Sequence, residues 1–207
     1  MTEKFDKNKR FIINYYNKTI NKYKKGTKVV GWGSKKSQQI RFQILSEIGN
    51  LNGKSVLDVG CGLGDLYRFL EKNKKIRLKK YVGIDINPLM IAEAMKRYPG
   101  IEFRVVDLLK NNFKESFDYV LASGLFGIKI PNWEKVSYKL LGKLYKISKI
   151  GVGVNFLSTL TPFKKDKMSY RTDPAEILNF IYNDINQKFV LRHDYKPNDF
   201  TIYIYKK

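Results

Sequence analysis

Apolar residues recur along this chain in two rhythms. In residues 10–25, RFIINYYNKTINKYKK, Phe11, Tyr15, Thr19 and Tyr23 fall four apart, and Ile12, Tyr16 and Ile20 repeat the pattern one place on. That spacing predicts a helix carrying an apolar stripe. Lysines cover much of the remainder, a pattern that also suits a membrane surface or nucleic acid. The stripe is expected to pack on its own domain. GTKVVGWGSKKS is a glycine-punctuated loop. SQQIRFQILSEIG then reads as a second helix, with Ile40, Ile44, Leu45 and Ile48 on one face and Gly49 as its stop.

From residue 55 onward short apolar runs alternate with helical periods. SVLDVG, KKYVGIDI, IEFRVVDLL, FDYVLASG and IGVGVNFLS have strand length and character. DLYRFLEKN, PLMIAEAMKRY, NWEKVSYKLLGKLYKIS and DPAEILNFIYNDI read as helices. Pro88 stands early in one first turn, and Asp173 with Pro174 makes an N-cap and first position for another. KFVLRHDYKPNDFTIYIYKK closes the chain as two strands around a turn holding Pro197 and Asn198. Strands alternating with helices predict an α/β fold: a doubly wound, mostly parallel sheet with helices on both faces and an antiparallel strand pair at the C-terminal end. No repeat, low-complexity tract or linker is visible. One domain, 1–207, is expected, with 1–50 as a helical cap and 51–207 as the α/β core.

Composition sets limits on this picture. The chain has 207 residues, 43% of them apolar, which suits a globular domain with a full core. Forty Lys and Arg against 19 Asp and Glu give a net charge of +21. Abundant Lys, Asn, Ile, Tyr and Phe suggest A/T-rich coding, which explains Lys over Arg but not the scarcity of acids. Attraction to an anion (nucleic acid, a phosphorylated metabolite, an acidic membrane surface) stands beside solubility as an explanation. MTEKFDKNKR is polar, no apolar segment follows it, and no run approaches the roughly 18 apolar residues of a membrane span. Cys61 is the only cysteine, so no intrachain disulfide forms. The expectation is a cytoplasmic protein without a membrane span.

The densest signal is VLDVGCGLGDL, residues 56–66. It lies where the first sheet strand ends and a helix begins, the place where open α/β sheets bind ligands. Three alternating glycines exceed what a plain strand-to-helix turn needs, and they let a ligand approach the backbone. A dinucleotide site requires G-x-G-x-x-G or A. Here the glycines are Gly60, Gly62 and Gly64, and Asp65 occupies the position of the third small residue. That fingerprint is broken. VLDVGCGLGDL, followed by YVGIDINPLMIAEA and FRVVDLL, resembles the class I S-adenosylmethionine-dependent methyltransferase family, closely over residues 55 to about 125.

The resemblance implies a seven-stranded Rossmann-like sheet, S-adenosylmethionine as cofactor, and roles for particular residues. Asp58 would fix the glycine loop and receive the cofactor's ammonium group. Gly60, Cys61 and Gly62 would bring backbone to its methionine part. Asp85 would accept both ribose hydroxyls, Ile86 would lie against the adenine face, and Asp107 with Leu108 would meet the adenine edge. Ser123 and Gly124 would end the fourth strand beside the sulfonium. Upstream, Arg41 resembles the arginine that in many members grips the cofactor's carboxylate, and Trp32 and Ser34 would rim the same cap. Taken singly, Asp107 also reads as a solvated strand end, Ser123 as a turn residue and Arg41 as a surface charge.

Methyl transfer is an in-line displacement at a carbon already activated by a sulfonium, so the protein mainly aligns the partners and excludes water. A base is needed only if the acceptor must lose its proton early. Tyr16, Trp32, Phe126 and Tyr170 are aromatics near the expected site, where ring faces steady a cation. His193, the only histidine, has the pKa range of a base, although a lone histidine is more often structural. Tyr195 and Asn155 are further candidates. After the fourth strand, ASGLFG stands where enzymes that methylate exocyclic amino groups in bases usually carry Asn or Asp, two prolines and an aromatic, so amino methylation of adenine by that mechanism is not expected; nor is DNA an expected partner. No paired acids in 123–160 suggest a metal site. The expected acceptor is a small polar or anionic metabolite under a short lid formed by 158–172. RNA is the alternative, because TPFKKDKMSYR mixes basic and aromatic residues. A protein that binds the cofactor without chemistry is a third possibility.

Overall fold

The computed structural model of the chain describes residues 2–23, 26–31, 33–163 and 167–207. The elements are α1 (Thr2–Tyr23), a 3-10 turn (Thr27–Val30), α2 (Lys35–Ser46), β1 (Ser55–Val59), α3 (Asp65–Lys72), β2 (Lys80–Asp85), α4 (Pro88–Arg97) and β3 (Glu102–Val105). They continue with β4 (Phe117–Ala122), α5 (Trp133–Ile147), β5 (Ser148–Leu157), α6 (Pro174–Asp184), β6 (Phe189–Arg192) and β7 (Asp199–Tyr205). The strands form one seven-stranded sheet in the order β3-β2-β1-β4-β5-β7-β6. The first five run parallel, and β7 is antiparallel to both β5 and β6. This is the mostly parallel sheet with a late antiparallel pair that the alternation of periods predicts.

Its central strands are apolar on both sides because helices cover both faces. Leu57, Val82, Val120 and Val152 face one layer, with Leu141 and Leu144 of α5 and Ile177 and Ile181 of α6. Val56, Tyr81 and Leu121 face the other, with Phe42 of α2, Leu66 of α3 and Ile91 of α4. Two helices start with strong local signals. The Asn87 side chain accepts from the backbone N–H groups of Leu89 and Met90, and Asp173 does the same for Ala175 and Glu176, with Pro88 and Pro174 next in line.

From β1 the chain winds outward through β2 and β3 on one side, then returns to place β4 on the other. The crevice of an open α/β sheet opens where the winding reverses, at the carboxyl ends of β1 and β4. Over that edge lies α1. The Asn8 amide donates to the Pro131 carbonyl at 2.9 Å, and the Asn87 amide donates to Asn17 Oδ1 at 2.9 Å. Of its two predicted stripes, the one that packs contains Tyr16 and Ile20, against Val29, Val30, Leu63 and Met90. Phe11 and Tyr23 of the other stripe stay exposed, at 44% and 38%. The helix rests on a sheet edge, not across a sheet face, so only a narrow strip of it finds apolar partners. The face of α2 also differs from its apolar reading: Ile40 is half-buried, while Gln38 and Arg41 are buried. The reason is a long-range ion pair, Arg41 with the fully buried Asp199 at the start of β7. Among the described residues no helix is long and apolar enough to cross a membrane.

Candidate active site

A cavity of about 860 Å³ opens at the carboxyl ends of the strands. Its centre is the turn from β1 to α3. Gly60 and Gly62 adopt φ of +73° and +53°, the left-handed region that L side chains rarely enter. The surroundings also demand glycine, because a Cβ on Gly60 would stand 2.9 Å from Leu125 Cδ1 and one on Gly62 would stand 3.0 Å from Val30 Cγ1. The turn is tied to β2: the N–H groups of Gly60 and Cys61 both donate to the Ile84 carbonyl, at 2.8 and 3.1 Å. The Gly62 N–H donates to Asp85 Oδ2 at 3.0 Å.

Two acids sit at the strand ends. Asp58 is 2% exposed and accepts a bond from the Tyr81 hydroxyl at 2.6 Å. Burial pushes its carboxyl up to about 7; the Tyr81 bond opposes this, and nearby Asp85 and Asp65 add to it. Burial also raises Asp85, against the backbone N–H groups of Asn87, Gly62 and Ile86, which favour its charged form. Two such acids lining a shared cavity favour a cationic ligand. Asp85 accepts one backbone bond on each oxygen, from Gly62 and from Asn87. A carboxylate has about four lone-pair positions, so it keeps capacity for two hydroxyl donors. At the β3 end, Asp107 caps its own loop by accepting from the Leu109 N–H at 3.0 Å, and it meets the ammonium of Lys9 at 3.1 Å. The Leu108 carbonyl accepts from Lys143. Cys61 is buried and its thiol pKa is pushed well up, which leaves it a packing residue and not a reactive one. Bare glycine backbone, two desolvated acids and the apolar Ile86 beside them form a donor set that fits a cationic nucleoside such as S-adenosylmethionine.

Arg41, Asp58, Gly60, Cys61, Gly62, Asp85, Ile86, Asp107, Leu108 and Ser123 all line this one cavity. Trp32 lies outside the described residues. His193, Tyr195 and Asn155 are not on the cavity wall. His193 shares a hydrogen bond of 2.8 Å with Ser158 Oγ and stacks on Phe200. Asn155 stands directly behind the wall, its Oδ1 accepting from Ser123 Oγ at 2.9 Å and its Nδ2 donating to Thr201 at 2.6 Å. Tyr195 shares the same threonine at 2.9 Å. Sequence reasoning missed Lys9, Ser37 and Lys196, which also line the cavity. Only their folded neighbours mark them out: each is a polar residue with no motif of its own.

Residues 56–146 match a family described as a methyltransferase domain. Demethylmenaquinone methyltransferase of Chlorobaculum parvum is 28% identical over 147 residues, covering 69% of this chain and 56% of that protein. Phthiotriol/phenolphthiotriol dimycocerosates methyltransferase of Mycobacterium leprae is 39% identical over 75 residues, covering 35% of this chain and 27% of that one. The chain thus spans from about a quarter to just over half of the length of these curated relatives. In fold it is similar to the magnesium protoporphyrin IX methyltransferase of Synechocystis PCC 6803 solved with bound S-adenosylmethionine. The TM-score is 0.68 at 18% identity, covering 96% of this chain and 97% of that one. The family match falls on the glycine turn and the strand-end acids, and the sheet order agrees with it. Over residues 56–146 the chain is thus similar to a methyltransferase domain, and its fold is similar to that of a solved methyltransferase that binds S-adenosylmethionine.

Proposed function

We propose that this chain is an enzyme that moves the methyl group of S-adenosylmethionine to a small-molecule acceptor. The carrying observation is the single cavity that holds the glycine turn, Asp58 and Asp85 at its middle and continues on both sides of them. In this reading Asp85 takes the two ribose hydroxyls on its remaining lone pairs. Asp58 balances the positive charge of the methionine part, and Gly60–Gly62 supply close backbone. Ile86 and Leu108 flank the adenine, and Asp107 accepts from its amino group once Lys9 yields. Arg41 is a candidate for the cofactor's carboxylate, as is Trp32 for the rim. Residues 1–50 act as the cap, with α1 excluding water from the site. Ser123 lies at the end of β4, where the acceptor's heteroatom would approach, and the bond from its hydroxyl to Asn155 fixes its orientation. His193, Tyr195 and Asn155 would act on the acceptor only from behind that wall.

When bound, the cofactor supplies a methyl carbon activated by sulfonium, which passes to the acceptor and leaves S-adenosylhomocysteine. The protein's share is alignment and a dry site, worth several kcal/mol in reactions of this kind, of the order of 7–11 in the best aligned cases. A walled cavity supports a small acceptor over an RNA strand. So do the named relatives, which by their names act on demethylmenaquinone and on phthiotriol/phenolphthiotriol dimycocerosates. The test is S-adenosylhomocysteine formation by pure protein incubated with S-adenosylmethionine and a low-mass cell extract. Product that accumulates only with extract supports the proposal. Tight cofactor binding with no product in any fraction would leave a cofactor-binding protein instead.

A further inference from the structure

The sheet order divides the cavity. Asp85, Ile86 and Asp107 belong to β2 and β3, on one side of the glycine turn. Beyond β4, on the other side, the wall comes from the segment after β4, the end of β5, the strap before α6 and the turn into β7. Leu125, Phe126, Ile128, Leu157 and Met168 line that half. It is a built wall. The Lys129 N–H donates to the Met168 carbonyl at 2.8 Å and the Tyr170 N–H to the Gly127 carbonyl at 2.9 Å. Tyr170 stacks on Trp133 with ring centroids 3.8 Å apart. A surface of this kind gains from covering a carbon skeleton and gains nothing from phosphates.

One corner of this half is polar. Lys196 Nζ donates to Ser37 Oγ at 2.8 Å and faces Asp199 Oδ2 at 2.9 Å. An ammonium has three N–H donors, and the third has no partner among the described residues. Ser37, accepting from Lys196, keeps its own proton for another partner. The Asn198 side chain also lines the cavity and is without a hydrogen-bond partner among the described residues. Asp199 cannot neutralise the corner alone, because its one carboxylate is fully buried between Lys196 and Arg41. The Lys196 side chain is only 20% exposed, so water screens it poorly. A cation with two neutral donors at one withdrawn corner suits a planar oxyanion, held by charge-assisted bonds.

We infer that the acceptor is a small molecule with an apolar body and a single carboxylate, the carboxylate docking on Lys196, Ser37 and Asn198. This deepens the methyltransferase reading and rests on it. The test is calorimetry on protein loaded with S-adenosylhomocysteine, titrated with octanoate and benzoate and with the neutral octanamide and benzamide. The carboxylates should bind about tenfold more tightly than the amides, a difference of about 1.4 kcal/mol. Lys196→Gln should abolish that preference while S-adenosylhomocysteine binds as in the wild type, and Ser37→Ala should reduce it. Equal binding of amides and carboxylates by the loaded wild type overturns the inference alone. So does a Lys196→Gln variant that loses S-adenosylhomocysteine instead, since the corner then holds the cofactor's own carboxylate. A wild type that binds no S-adenosylhomocysteine overturns the methyltransferase reading, and this inference with it.

Discussion

The Gly62 N–H donates to Asp85 Oδ2 at 3.0 Å, so the acid that ends β2 holds the glycine turn that ends β1. One side chain thus shapes the loop and, in the proposed function, holds the ribose. Asp85→Ala should weaken S-adenosylhomocysteine about 100-fold or more, because two hydrogen bonds to a charged group, each worth about 1.5–3 kcal/mol, disappear with it. Calorimetry measures this directly. Affinity unchanged within twofold would remove Asp85 from the cofactor site.

Gly60 combines positive φ with a neighbour that leaves no room. Gly60→Ala should destabilise the fold by about 1–2 kcal/mol from the backbone conformation alone, with further loss from the clash with Leu125 Cδ1 at 2.9 Å. Adding Leu125→Ala should recover the steric part and leave the backbone part. Thermal melts of the single and double variants separate the two; a double variant no more stable than Gly60→Ala would mean that the clash contributes nothing.

Asp58 makes stability depend on pH with a definite sign. Its carboxyl is raised from 3.8 to about 7, so between those values the folded state holds a proton that the unfolded state has released. Its contribution to stability is therefore present at low pH and falls away as pH rises towards 7. Asp58→Asn should lack that loss. Its melting temperature relative to the wild type should climb from pH 5 to pH 7.5, by an amount equivalent to a few kcal/mol at most, since each tenfold change in proton affinity is worth about 1.4 kcal/mol. A difference that stays flat with pH would show that Asp58 titrates normally.

Lys9 pairs with Asp107 across the edge covered by α1. If Asp107 meets the adenine, this pair must open first. Lys9→Ala should then strengthen S-adenosylhomocysteine binding modestly, by up to about fivefold, because a partly exposed pair is worth about 0–1 kcal/mol. Weaker binding instead would mean that Lys9 itself helps to hold the cofactor.

The glycine turn, the places of Asp58 and Asp85 at strand ends, and the mostly parallel sheet with its late antiparallel pair were legible in the sequence because their signals are local. Each is a strand, a turn and a helix start within a few residues, and the fold brings the ends of neighbouring strands together. Contacts across the chain were not legible. Nothing near Arg41 announces Asp199, which lies 158 residues away. With that acid as its partner, Arg41 is buried in an ion pair on the cavity wall, a pairing that its sequence does not announce. Lys196 is hidden for another reason: among so many lysines, a half-buried one looks the same as the rest. The two stripes of α1 illustrate the limit of periodicity, which marks a helix but not which strip of it meets the sheet edge. The net charge of +21 likewise signals attraction to an anion without saying which one.

The most direct measurement follows radiolabelled methyl from S-adenosylmethionine through pure protein and a fractionated extract of the source cells. The account predicts label in the low-mass fraction, lost in Asp85→Ala and unaffected by nuclease. Label confined to RNA and released by nuclease would contradict a small-molecule acceptor, and cofactor binding without label in any fraction would contradict methyl transfer itself.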